Sequence, residues 1–443
     1  VLPNITEIGQ FVLGFPLLLL AAHGVGYLFA RLHQPKVIGE ILGGLLLGPT
    51  LLARIVPEQI AWPFADSGEM GPLFVVVYQF GLILLMFVSG SEVRASFQPR
   101  ERRAVGWIAF GGTVLPFVAG LYLASLLNAQ QFEGAAHVRW SFLLIVGIAS
   151  AVTSIPVISR IMLDLGILKT AFARVVLAAA ILEDVLLYVV LAVAIGLVLT
   201  TGGTEFGLAG LINLPPGFWS TGYHVVATIF FFAAGLVLIP RIYRWTLESR
   251  SNLIERVSPP AFQVLFLMAL TLVSVFLGVA AIFGALVAGL VAGSTSEERT
   301  RKARETVKKL GMGLFIPAYF GLVGARLDLL KDFAPVFFLG FFAFACGVKT
   351  VGVYLGARVG RQSAQRALNF AVAMNARGGP GIVVASVAFD AEIINREFFA
   401  VLVMLAMVTS LIAGIWLQRA IRVAPELFVE GSPEREKVGD TLQ

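Results

Sequence analysis

The chain has 443 residues, 58% of them hydrophobic and 14% charged, with a net charge of +6 and a mean hydropathy of +0.88. Soluble domains carry about 25% charged residues, so this composition excludes a soluble domain and predicts an all-α polytopic membrane protein. One cysteine, Cys346, excludes a disulfide framework and a cysteine-based metal site; four scattered histidines offer little to zinc or haem, and no cofactor is expected.

Thirteen apolar segments predict 13 transmembrane helices: 8–32, 37–54, 71–90, 104–127, 139–162, 171–200, 218–245, 260–277, 279–294, 311–325, 333–359, 364–389 and 397–420. The first reads as a full span rather than a cleavable signal. The eighth and ninth are fused in hydropathy, and Gly278 with the Ala280-Ala281 pair divides them. Basic residues orient the array. With the N-terminus outside, the inward loops hold most of the 33 lysines and arginines, from Arg31 and Lys36 through Arg94, Arg100 and Arg250 to Arg366. The outward loops hold Arg54, Arg139, Arg326, Lys331 and Arg396. The positive-inside rule then places the N-terminus outside and the C-terminus in the cytoplasm, most simply across a bacterial plasma membrane. The net charge is an orientation signal, and no nucleic-acid partner is needed to explain it. No soluble nucleotide-binding domain is expected after Lys437.

The chain also resembles itself. Residues 39–45 have a counterpart in 283–289, and the end of segment three, 87–94, has one in 320–327. Segment five carries Pro156 followed by Asp164, and segment twelve carries Pro380 followed by Asp390. These matches predict a first inverted repeat over 1–200, a linker helix over 201–258, a second repeat over 259–420 and a cytoplasmic tail over 421–443. Inverted repeats place a transport site at their interface near the membrane midplane.

Segments five and twelve are predicted to be discontinuous and crossed. Pro156 follows Thr153 and Ser154, while Pro380 stands among Gly378, Gly379 and Gly381. Proline removes a helix hydrogen bond and clashes with the carbonyl four residues back. Irregular backbone at this depth survives only when buried in protein or lining a cavity. The positive helix ends at such a crossing would favour carboxylates, and the negative ends would favour Arg377 and Lys349.

Segment six supplies the carboxylates. Glu183 and Asp184 are the only charged residues between 175 and 200. A charge at mid-bilayer costs roughly 2.5–3.5 kcal/mol on insertion scales, so two in succession predict a binding function. Their natural ligand is a proton or a hard metal cation; Asp184, Glu183, Thr153 and Ser154 are the candidate oxygen donors. Successive residues on a helix point about 100° apart, which predicts different roles for the two acids. Lys349 stands alone among apolar neighbours and is the expected partner of Glu183. Arg377 cannot lose its proton and is expected to compensate a helix break or pair with an acid. Asn375 offers a side-chain carbonyl. Glu40 and Glu92 lie near helix ends; a role for Glu92 in attracting cations to the inward funnel stands beside a solvated or headgroup-facing role for both, and His23 is expected to be a packed polar residue.

With these residues in place the chain resembles the monovalent cation:proton antiporter-2 family, within the cation/proton antiporter superfamily of sodium/hydrogen exchanger-like proteins. The carriers are Gln34-Pro35-Lys36-Val37-Ile38-Gly39-Glu40-Ile41 with Gly48-Pro49, Gly90 with Glu92, Thr153-Ser154 with Pro156, Glu183-Asp184, Lys349 and Ala376-Arg377-Gly378. The resemblance covers nearly the whole length. It implies a homodimer whose protomers have a rigid interface domain and a mobile core domain moving like an elevator. It implies that Asp184 binds cation and proton in turn. Glu183 stands where many electrogenic relatives carry Asp paired with a lysine matching Lys349; electroneutral relatives often carry Asn there, and potassium-efflux relatives Gln. Glutamate departs from all three and leaves ion preference and stoichiometry open.

The expected activity is exchange of a monovalent cation (Na+, Li+ or K+) for protons. A cation channel or gated K+ efflux pathway would also use mid-membrane acids. A sodium-coupled carrier of organic anions fits less well, since the acids repel its cargo. An enzyme is not expected, because no HExxH or GxSxG motif is present.

Overall fold

The computed structural model describes residues 4–32, 34–56, 62–65, 70–92, 101–127, 129–199, 207–212, 218–249, 252–295 and 297–429. Arg94, Arg100, Arg250, Lys437 and most of the expected tail lie outside the described residues.

The first half contains α1 (Ile5–Arg31), α2 (Lys36–Leu47), α3 (Pro72–Glu92), α4 (Arg102–Leu126), α5 (Arg139–Ala151), α6 (Ile155–Asp164) and α7 (Ala171–Leu199). Next come α8 (Phe218–Val237) and α9 (Ile239–Glu248). The second half contains α10 (Pro259–Phe276), α11 (Ala281–Ser294), α12 (Glu298–Leu310), α13 (Ile316–Ala325), α14 (Pro335–Val359), α15 (Ala364–Ala373), α16 (Gly378–Asp390) and α17 (Arg396–Val423). The only β-type pairing among the described residues is an isolated bridge between Glu133 and Ile394.

Local chemistry sets the boundaries. Asn4 and Glu7 form a reciprocal capping box at α1, and Ser363 and Asn395 cap α15 and α17. Proline opens α10 and α14, where its missing N–H costs nothing. Gly278, at φ +77°, ends the α10 region and separates it from α11. The expected single linker helix is in fact two, α8 and α9, because Pro240 sits in the first turn of α9 and cannot donate back into α8.

Among the described residues nine helical spans are long and apolar enough to cross a bilayer, and eleven when two bent pairs each count as one span. The remaining expected segments are shorter helices. Residues 279–294 form α11, and 311–325 form a π-helical turn over Gly311–Phe315 followed by α13. The chain is an all-helical, integral multi-pass membrane protein. Large apolar residues such as Leu20, Phe110, Tyr122, Trp140 and Val336 stand exposed on its outside, as a lipid-facing surface requires.

The helices sort into two bundles, each drawing on both halves of the chain. In the first, α1, α2, α3, α10, α11 and α13 pack together. In the second, α4, α5, α6, α7, α14, α15, α16 and α17 pack together. Helix α8 touches both, lying against α7 on one side and α11 on the other. Small residues bring backbones close in the first bundle. A Cβ on Gly44 would fall 1.7 Å from the Gly321 carbonyl oxygen, and one on Gly289 would fall 2.1 Å from that of Phe87.

Candidate functional site

The second bundle holds two helix breaks. α5 ends at Ala151, three residues run extended, and α6 begins at Ile155 with Pro156 in its first turn. The proline therefore starts a half-helix instead of kinking one. α15 and α16 meet at a 42° bend, with Gly378 at φ +35°. That backbone suits glycine, and a Cβ there would lie 2.3 Å from Val157 Cγ2, so Gly378 also permits the approach of α6. Gly379 and Pro380 occupy the first turn of α16.

The two breaks cross. Ser154 N–H donates to the Ala376 carbonyl at 2.6 Å, and the Thr153 hydroxyl donates to the Met374 carbonyl at 2.6 Å. The Ser154 hydroxyl caps α6 by accepting from Val157 N–H at 3.4 Å. The start of α16 is satisfied by hydroxyls too. Gly378 N–H donates to Ser410 and Arg377 N–H to Thr409. Hydroxyl oxygens of Ser154, Thr409 and Ser410 thus accept from backbone donors at the two helix starts.

The negative helix ends do meet the expected cations. Arg377 is fully buried and donates to the carbonyls of Ala149 and Ser150, both at 3.1 Å, at the end of α5. It also donates to the Ala345 carbonyl at 2.9 Å and to both oxygens of Asn375 at 3.2 Å. The Asn375 side-chain carbonyl is therefore engaged by Arg377.

Lys349, also fully buried, donates to Glu183 Oε1 at 2.6 Å. It donates further to the Ala151 carbonyl at the end of α5 and to the Gly112 carbonyl at 3.0 Å. Gly112 lies inside α4, where its oxygen would ordinarily accept from the residue four places on. That residue is Pro116, which has no N–H, so the carbonyl is left for the lysine. Close contact between Gly111 and Gly352 brings α4 and α14 near enough for this reach. The sequence reading missed both carbonyls. A glycine four residues before an intrahelical proline was the signal for one of them.

The two acids differ in surroundings. Glu183 is wholly buried, with Oε1 on Lys349 and Oε2 lacking a hydrogen-bond partner among the described residues. Asp184 is 8% exposed, and its Oδ1 lacks one as well. One turn on, Tyr188 lines a cavity of about 570 Å³ that reaches Pro156, Gly379 and Pro380. The cavity lies between the bundles and opens among Lys36, Glu40, Glu92, Arg160 and Lys308. A second cavity, about 960 Å³, lies between the bundles at the other end of α3, lined by Tyr78, Glu133, His137, Arg326 and Asp390. Glu40 is buried and paired with Lys36 at 3.2 Å, not solvated as expected, because α2 packs against α1 and α13. Glu92 pairs with Lys308, and His23 Nε2 lies 3.0 Å from the Gly313 carbonyl. No cluster of three His, Cys, Asp or Glu side chains capable of holding a metal exists among the described residues.

Comparison with known proteins places this architecture. Residues 17–423 match the family described as sodium/hydrogen exchanger, transmembrane. The chain is 29% identical over 411 residues to cation/H(+) antiporter 20 of Arabidopsis thaliana, an alignment covering 89% of this chain and 46% of that longer protein. It spans about half the length of that relative. It is 25% identical over 408 residues to the Na(+)/H(+)-K(+) antiporter GerN of Bacillus cereus, covering 91% of this chain and 94% of that one. Its fold matches the sodium proton antiporter MjNhaP1 of Methanocaldococcus jannaschii with a TM-score of 0.65 at 18% identity, over 96% of this chain and 100% of that one. The chain belongs to the sodium/hydrogen exchanger family.

Proposed function

We propose, from that membership and the geometry of the site, that the protein exchanges a monovalent cation for protons across a membrane. Na+, Li+ and K+ are the candidate cargoes. One observation carries the reading: two neighbouring carboxylates, each with an unpartnered oxygen, lie buried in the same bundle as two crossed helix breaks, and a cavity leads in from one side. Leaving carboxylate oxygens unsatisfied in protein costs about 1–3 kcal/mol each, more when charged, unless a ligand takes them up.

Asp184 is the group that holds cation and proton in turn. Among the described residues it forms no ion pair, whereas Glu183 pairs with Lys349. Thr153 and Ser154 spend their hydroxyl roles in helix capping and crossing, yet their oxygens retain lone pairs for a desolvated cation. Competition of cation and proton for the same oxygens couples their movement, provided the empty site does not cross. The Glu183–Lys349 pair holds the cation-free state. Arrival of a cation loosens it, which offers a route to a second proton and to net charge movement.

The two bundles move relative to one another. The first stays fixed and forms the homodimer; the second carries Asp184 past it like an elevator. Residues 1–200 and 259–420 are two inverted repeats joined by the 201–258 linker, with a cytoplasmic tail over 421–443. The N-terminus is outside, so the cavity with Arg160 and Lys308 is the inner one. The paired contacts of Gly44 on Gly321 and Gly289 on Phe87 support this relation between the halves.

The test is dissipation of a pH gradient in proteoliposomes with sodium, lithium and potassium in turn, at clamped and unclamped voltage. Asp184→Asn is expected to abolish cation-dependent dissipation in a folded protein. Full exchange by that variant would falsify the assignment. Cation flux in the unsubstituted protein that ignores the pH gradient would instead identify a channel.

A further inference from the structure

The two cavities are separated by a short seam between the bundles. Its outer end is closed by one cluster. Arg326, just beyond α13 of the first bundle, donates to Asp390 Oδ1 at 2.7 Å. Tyr78 of α3, also in the first bundle, donates to Asp390 Oδ2 at 2.8 Å. Asp390 ends α16 of the second bundle. The Arg326 guanidinium also lies over the rings of Phe389 and Phe399, 4.7 and 5.9 Å from their centroids, and over Tyr78 at 5.5 Å. Phe389 and Phe399 belong to the second bundle, so one arginine grips across the seam through an ion pair and two ring faces. Below it lie Tyr319, its ring tilted against that of Tyr78 with centroids 5.0 Å apart, and Ser386, one turn before Asp390; both are fully buried.

We propose that Arg326 and Asp390 are the outer gate of the transport pathway, the residue pair that must part before an ion from outside reaches the site. The inference rests on the antiport reading above. The bonds to Asp390 and the ring contacts with Phe389 and Phe399 are lost together when the bundles slide, because Arg326 and Tyr78 belong to one and Asp390, Phe389 and Phe399 to the other. The Arg326 side chain is 9% exposed and that of Asp390 28%, so the pair is partly shielded from the solvent screening that weakens surface ion pairs. Tyr78 keeps the second carboxylate oxygen occupied, which fixes Asp390 toward the first bundle. While the gate is shut, the cavity at the other end reaches the helix breaks. The gate therefore holds the inward-open arrangement and excludes outside water from Tyr319 and Ser386.

Two experiments decide it. In a Cys346→Ala background, Arg326→Cys with Asp390→Cys is bridged by a short bifunctional methanethiosulfonate reagent. Exchange in proteoliposomes is expected to fall at least tenfold on bridging and to return on reduction. Bridged protein that exchanges at the unbridged rate overturns the gate and leaves the antiport reading intact. Should the unbridged pair of cysteines itself be inactive, the second measurement decides. Ser386→Cys is labelled from outside by a membrane-impermeant thiol reagent, with and without Asp390→Asn. Labelling is expected to quicken about fivefold with Asp390→Asn, the factor corresponding to an interaction of roughly 1 kcal/mol. Unchanged labelling overturns the proposal.

Discussion

Lys349 and Arg377 are both fully buried cations at the C-terminal end of α5, yet they are held differently. Arg377 donates to main-chain carbonyls, the Asn375 side chain and, at 3.7 Å, Cys346 Sγ, with no carboxylate among its described hydrogen-bond partners. Lys349 has two carbonyls and one carboxylate. The difference follows from chemistry. A guanidinium never gives up its proton, so its charge is a constant suited to cancelling fixed dipoles at a helix break. An ammonium is a compact charge that can exchange partners and even lose its proton when buried. The permanent cation thus sits on backbone and the changeable one on a titratable acid.

Removing Arg377 tests the fixed side and should have the largest effect. Arg377→Ala strands the carbonyls of Ala149 and Ser150, at about 1–3 kcal/mol each. Failure to yield monodisperse protein in detergent is expected; a variant with unaltered melting would show that the arginine is dispensable. Lys349→Ala tests the changeable side. It leaves Glu183 as an uncompensated buried acid, a loss of about 3–5 kcal/mol. Adding Glu183→Gln should restore part of that stability in thermal melts, and an additive double variant would contradict the pairing. The same Lys349→Ala protein should move a different charge per cycle, and an unchanged value refutes the exchange of partners proposed for the lysine.

Smaller effects sharpen the contrast. Thr153→Val removes the bond to the Met374 carbonyl and should cost about 1 kcal/mol and slow exchange, since it loosens the crossing without touching either cation. Unchanged melting and rate would place Thr153 outside the working site. Cys346→Ala loses only a sulfur contact with Arg377 and should alter melting by less than about 0.5 kcal/mol. A larger shift would mean that the arginine depends on its sulfur neighbour.

The parts of this site differ in how far they could be read in advance. The acid pair was legible because no other charge lies between 175 and 200, and bilayer energetics make such an exception conspicuous. The helix breaks were legible because proline and glycine act on their own backbone. Their satisfaction was not. Ser410 and Thr409, which take the donors at the start of α16, lie one helix later and read as ordinary packing residues. Pro116 announces a freed carbonyl at Gly112, but nothing local says that Lys349, 237 residues on, will use it. Glu40 was misplaced for the same reason, since its burial depends on α1 and on α13, the latter brought against α2 from the other half.

The amino-acid order alone determined the membrane class, the location of most apolar spans, the interrupted helices and the acids between them, because each follows from short stretches of chain meeting lipid. The sorting of helices into two bundles, the lysine's three oxygens and the closed Arg326–Asp390 contact were decided only in three dimensions. They arise where segments far apart in the chain share one buried space, and there each polar group must find whatever partner packing leaves it.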